Sequence, residues 1–72
     1  MSLEALLSSC NLTHLHGALT EAGVEGLEDL QQYYEELREL IPDGYRNEMA
    51  ITFRCKKIEI SRLITAMDQK LR

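Results

Sequence analysis

The chain has 72 residues, 44% of them apolar, and a formal net charge of −4. A domain this small buries only about 60% of its unfolded surface and has little room for a substrate cavity of about 300 Å³ or more, which argues against an enzyme. The apolar fraction is too high for a disordered chain, and no apolar run approaches the roughly 18 residues of a membrane span.

Ser2 is placed to cap a short helix from Leu3 to Ser9, with Leu3, Leu6 and Leu7 on one face. The stretch Ser8-Ser9-Cys10-Asn11 interrupts it. Asn11 or Thr13 then caps a second helix through Ala22, whose apolar positions Leu12, Leu15, Leu19 and Ala22 follow helical spacing. Gly23 sits where a helix ends in the left-handed conformation. Leu27, Leu30, Leu37 and Leu40 mark one or two short helices between residues 27 and 40. Pro42 ends that segment by disfavouring helix at Ile41, and Asp43 is placed to cap the last helix.

From Gly44 to Arg72 there is no Pro and no further Gly. A continuous helix over these 29 residues would be about 43 Å long, more than the width of so small a domain. The alternation Ile51-Phe53-Cys55 suits a strand, but no turn residues flank it, and helix is preferred. Met49, Phe53, Ile60, Leu63, Ile64, Met67 and Leu71 share one helical face; Ile51, Cys55 and Ile58 lie nearly opposite. A small domain usually covers only one such face, so the second set is expected to be the more exposed.

No phosphate loop, nucleophile elbow, zinc-protease or calcium-loop pattern is present. Cys10, His14, His16 and Cys55 could supply four soft ligands. However, Cys-x3-His-x-His is not a usual structural spacing, and a helix points His14 and His16 about 160° apart. No cofactor and no catalytic residue are expected. Tyr34-Glu35-Glu36-Leu37 resembles a phosphotyrosine ligand, but such ligands are extended and this segment reads as helix. Two cysteines are few for a secreted scaffold, so reduced thiols inside the cell are expected, in the cytoplasm ahead of the nucleus.

Charge is distributed unevenly. Residues 1–43 hold nine acids and one base, a net of −8, and residues 44–72 hold seven bases and three acids, a net of +4. Either the two halves neutralise each other within the fold, or they form complementary surfaces for association. Arg54, Lys56, Lys57 and Arg62 are spread around the last helix, and the net charge opposes long-range approach to nucleic acid.

The stretch Ala22-Gly23-Val24-Glu25-Gly26-Leu27-Glu28-Asp29-Leu30, then Glu35-Glu36-Leu37-Arg38-Glu39-Leu40, then Gly44-Tyr45-Arg46, resembles in order and spacing the sterile alpha motif (SAM) family. The chain departs from that pattern in having no Trp in its first helix, in Tyr33 where a Thr or Ser cap is common, and in an insertion-like stretch from Ile51 to Lys57. The resemblance implies a five-helix protein-interaction module. In this family an acidic surface of the middle helices binds a basic surface at the start of the fifth. Carried over, Glu28, Asp29, Glu35, Glu36 and Glu39 belong to the acidic surface, and Gly44, Tyr45 and Arg46 to the basic one.

Together these features predict one all-α domain over residues 1–72, a small five-helix bundle with a long C-terminal helix. Its expected partner is another helical domain, a second copy of itself included, in a homo- or hetero-oligomer. The alternatives are an RNA-binding helical domain using the basic C-terminal helix, and a helical homodimer through the apolar Ile51, Cys55 and Ile58 face.

Overall fold

A computed structural model describes residues 1–70. Ser2 does cap the first helix, α1 (Leu3–Ser9): its hydroxyl accepts the Ala5 N–H at 3.1 Å, and Leu3, Leu6 and Leu7 are buried. The second helix begins as a 3₁₀ turn, Thr13–Leu15, and becomes α2 only over His16–Glu21. Neither Asn11 nor Thr13 provides the expected cap. The leucine spacing accounts for the change of pitch, since three residues from Leu12 to Leu15 suit a 3₁₀ turn and four from Leu15 to Leu19 suit an α-helix. All three leucines are buried, whereas Ala22 ends the helix exposed.

The segment from Leu27 to Leu40 is one helix, α3. No Gly or Pro interrupts it, and Gln31 and Gln32 each donate to the glutamate four residues on, Glu35 and Glu36. Asp29 reaches back to accept the Glu25 N–H at 3.1 Å, standing in for a cap that Gly26 cannot supply. Leu30 and Tyr34 are buried, but Leu40, expected on the apolar face, is 78% exposed. Pro42 lies in the turn after the helix, where Gly44 donates to the Ile41 carbonyl at 3.0 Å. Gly44, not Asp43, is the N-cap of the next helix, and it makes no side-chain cap.

The long final segment from Gly44, whose length as one helix exceeded the domain, contains two helices, α4 (Tyr45–Thr52) and α5 (Lys57–Lys70). The break falls in the stretch that looked like an insertion. Arg54 takes φ 53°, the left-handed region. Its N–H donates to the Ile51 carbonyl at 3.2 Å and the Cys55 N–H to the Ala50 carbonyl at 2.9 Å, the paired bonds of a Schellman stop. The same pair closes α1 at Asn11 (φ 60°) and α2 at Gly23 (φ 97°). After the break, Glu59 accepts the Lys56 N–H at 3.0 Å and starts α5. The molecule measures 28 × 25 × 21 Å, which a helix of about 43 Å would overrun. Folded at the elbow, the buried Met49 of α4 and Phe53 just after it join Ile60, Leu63, Ile64 and Met67 of α5 in one core. Leu71, assigned to the same face, lies outside the described residues.

Five α-helices and no strand are therefore present among the described residues. α5 packs on α4 and α1, and α3 packs on α4. Tyr33 meets the Phe53 ring edge-on at 5.6 Å, and its hydroxyl donates to Thr52 Oγ1 at 3.2 Å. The five-helix count arises by another division than the one the SAM resemblance implies: the 27–40 segment stays whole and the C-terminal segment splits.

Arg54 is a non-glycine residue in a conformation that costs L-residues roughly 1–2 kcal/mol. Its guanidinium binds Glu21 at 2.8 Å, but both side chains are exposed, and such a pair contributes only about 0–1 kcal/mol. Arg54→Gly is accordingly expected to raise stability slightly, by about 0.5–1 kcal/mol, seen as a higher midpoint in chemical denaturation. A loss of stability would mean that the Glu21 contact outweighs the backbone strain.

Candidate functional site

The carboxylates expected to form an acidic surface lie on α3. Glu28, Asp29, Glu35, Glu36 and Glu39 are all on it, and Glu35, Glu36 and Glu39 form its C-terminal half. Asp29 is held by the Glu25 N–H, and Glu35 and Glu36 accept only from neutral glutamines. The residues expected on the basic surface lie where α4 begins. Gly44 and Tyr45 are half-buried and Arg46 is exposed. The Tyr45 ring meets Tyr34 of α3 edge-on at 5.8 Å, and the Arg46 guanidinium lies 5.6 Å from the Tyr45 ring centroid. The start of α4 is thus joined to α3 across an aromatic contact. Arg38, the one base on α3, lies over the Tyr34 ring and donates to its hydroxyl at 3.1 Å. Burial pushes the Tyr34 phenol upward against the opposing pull of Arg38. Being buried in a helix, Tyr34 does not have the form of an extended phosphotyrosine ligand.

The ion pairs among the described residues are His14–Glu59, His16–Glu4 and Arg54–Glu21. None includes an α3 carboxylate, and none includes Arg46, Lys56 or Lys57. Among the described residues, Arg54–Glu21 is thus the one pair of a base from the 44–72 half with an acid from the 1–43 half, and it leaves the α3 carboxylates and Arg46 unpaired.

Ile51, Cys55 and Ile58 do not share one helix face, because the elbow places Ile51 on α4 and Ile58 on α5. Ile51 and Ile58 are 63% and 66% exposed and Cys55 is half-buried, while Phe53, Ile60 and Ile64 are buried. The exposure expected for the first set therefore holds, although the helix that predicted it is broken.

The elbow also assembles a cluster that sequence spacing did not suggest. Glu59 uses one oxygen for the Lys56 N–H and the other for His14 Nε2, at 2.5 Å. One turn on, Arg62 donates to the carbonyls of Cys10 and Asn11 at 2.9 and 3.2 Å, tying α5 to the end of α1. The only local signal was Glu59 three residues after Lys56, half of a capping box. The backbone bond to Lys56, then the bond to His14, hold the Glu59 carboxyl below the usual glutamate range. Burial pushes both the Cys10 and Cys55 thiols upward, which keeps them protonated and weakly nucleophilic near neutrality. The Cys10 thiol donates to the Leu6 carbonyl at 3.4 Å. Among the described residues no three His, Cys, Asp or Glu side chains converge as metal ligands, and no helix is long and apolar enough to cross a membrane.

An open groove of about 220 Å³ runs between the Ala22–Val24 link, α3 and the end of α4. Asp29 and Glu36 stand on its α3 side, with Tyr33, Thr52 and Phe53 also lining it. Compared with protein-family models, curated proteins and solved structures, the chain matches none.

Glu59 supports a pH prediction. Its carboxyl titrates lower in the folded than in the unfolded chain, so its contribution is fully present above the unfolded value, about pH 4.3, and is lost as pH falls through the folded value. The stability gap between the parent and Glu59→Gln should be constant from about pH 5 to pH 6 and close on further acidification. Urea denaturation of both proteins across that range checks this; a gap that persists at about pH 2 would show that Glu59 acts through packing.

Proposed function

We propose that the chain is a protein-interaction module that docks other helical surfaces by charge. Its acidic side is α3, with Glu28, Asp29, Glu35, Glu36 and Glu39, and its basic side is the start of α4, with Gly44, Tyr45 and Arg46. The observation that carries this reading is that α3's carboxylates and Arg46 stay outside the ion pairs formed among the described residues. Glu28 and Asp29 in the first turn of α3 suit the helix dipole, but Glu35, Glu36 and Glu39 lie in its C-terminal half, where the dipole and their mutual repulsion oppose them. The likeness to the SAM family belongs to the same proposal, and so does the intracellular, cytoplasmic setting. No catalytic step and no cofactor form part of it.

RNA binding is the weaker reading. Arg54 is paired with Glu21, and Arg62 is engaged with the Cys10 and Asn11 carbonyls. This leaves few converging cations for phosphate.

Exposed pairs contribute only about 0–1 kcal/mol each, so several must act together, and salt weakens them within a Debye length of about 8–10 Å. A lysine-rich helical peptide should bind the acidic side and a glutamate-rich one the basic side, both losing affinity as salt is raised in a calorimetric titration. Glu36→Arg should weaken only the first and Arg46→Glu only the second. Glu25→Arg, the same change of net charge off α3, should leave both nearly unchanged. Equal weakening by Glu25→Arg and Glu36→Arg would reduce the effect to overall charge and sink the proposal.

A further inference from the structure

The α4–α5 elbow carries a surface of its own, independent of docking on α3. Ile51, in the last turn of α4, is 63% exposed, and Ile58, in the first turn of α5, is 66% exposed. Lys56 and Lys57 lie between them in the chain, both exposed, and neither enters an ion pair among the described residues. Of the acids near this stretch, Glu59 is committed to His14 and the Lys56 N–H, and Glu21 is matched by Arg54. Glu48, one turn back along α4, is exposed. The two isoleucines stand on different helices on either side of a tight turn, so they crown a protruding corner and do not line a cleft. The groove beside α3 takes Thr52 and Phe53 from this region and leaves Ile51, Lys56, Lys57 and Ile58 out. A protein partner packs its contact as densely as an interior and needs a matching shape to seat a corner. A fluid lipid surface needs none.

We propose that the elbow is a contact for an anionic membrane surface, with Ile51 and Ile58 entering the boundary between headgroups and acyl chains and Lys56 and Lys57 meeting the anionic headgroups. Interfacial binding grows with the apolar area buried and with attraction to anionic lipid. Lysine stems lie along apolar surface while their ammonium groups stay in the polar layer. That attraction acts within a Debye length of about 8–10 Å, so the local charge of the elbow counts for more than the net −4 of the whole chain. Two aliphatic side chains and two lysines give weak, reversible attachment, and nothing in the contact spans the bilayer.

Co-sedimentation in low salt with vesicles of phosphatidylcholine alone, and of phosphatidylcholine with about one-third phosphatidylserine, tests this. The parent should bind the anionic vesicles, lose them as salt is raised, and bind the neutral vesicles far less. Lys56→Gln and Lys57→Gln should each weaken binding about fivefold, while Lys70→Gln, the same change of charge at the far end of α5, should have little effect. Ile51→Gln with Ile58→Gln should weaken it by about tenfold or more. All of these side chains are exposed, and circular dichroism confirms that each variant is folded. The chain has no Trp, so Ile58→Trp reports on the corner directly. Its emission should shift to the blue on anionic vesicles, and that of Leu40→Trp, at the exposed end of α3, should not. A parent that binds no anionic vesicles overturns the proposal, as does binding that Lys70→Gln weakens as much as Lys56→Gln, or binding indifferent to loss of the two isoleucines. If the vesicles are not bound but a glutamate-rich peptide is, and Lys56→Gln and Lys57→Gln lose it, the elbow receives an acidic protein and the lipid proposal fails.

Discussion

The left-handed turn at Arg54 is the constraint on which the rest of the molecule depends. Without it, the apolar stripes of α4 and α5 would lie along one rod longer than the domain. With it, Phe53 at the end of α4 and Ile60 near the start of α5 enter one core. The backbone strain is of order 1–2 kcal/mol, while fully burying one Phe or Ile side chain is worth about 1.5–3 kcal/mol. Burial of several such groups decides the balance. The same turn leaves Ile51 and Ile58 outside and sets Lys56 and Lys57 beside them.

Much of the helical plan was legible because its causes are local. Ser2 and the leucine spacing marked α1, Gly23 marked the end of α2, and Pro42 marked the end of α3. The elbow was hidden because Arg54 is not a residue that favours a left-handed stop. Its conformation is chosen by the core that forms on either side of it, which no short window of sequence contains. The excess length of the supposed final helix was a visible warning, since a rod of about 43 Å has nothing to pack against along much of its length. Leu40 and Ala22 misled in a simpler way: both fit the apolar period at a helix end, where the core has already turned away.

The surfaces divide in a similar manner. The clustering of acid on α3 is a property of one segment and could be counted from the sequence. Whether that charge would be cancelled depended on pairs between distant residues, and those pairs took other carboxylates. Glu21 went to Arg54 and Glu59 to His14, across 33 and 45 residues. What remains on α3 is acid supported by glutamines. The aromatic contact between Tyr34 and Tyr45 joins α3 to the start of α4, which carries Arg46.

The tie between Arg62 and the end of α1 bears on how the chain reaches this state. α4, the elbow and α5 are consecutive and can pair as a local hairpin of helices. The carbonyls that Arg62 binds are 51 and 52 residues away. Docking α1 closes a much longer loop, whose entropic cost grows only with the logarithm of its length. Such a topology favours early pairing of α4 with α5 and a later, cheaply closed arrival of the N-terminal helix on a surface already formed.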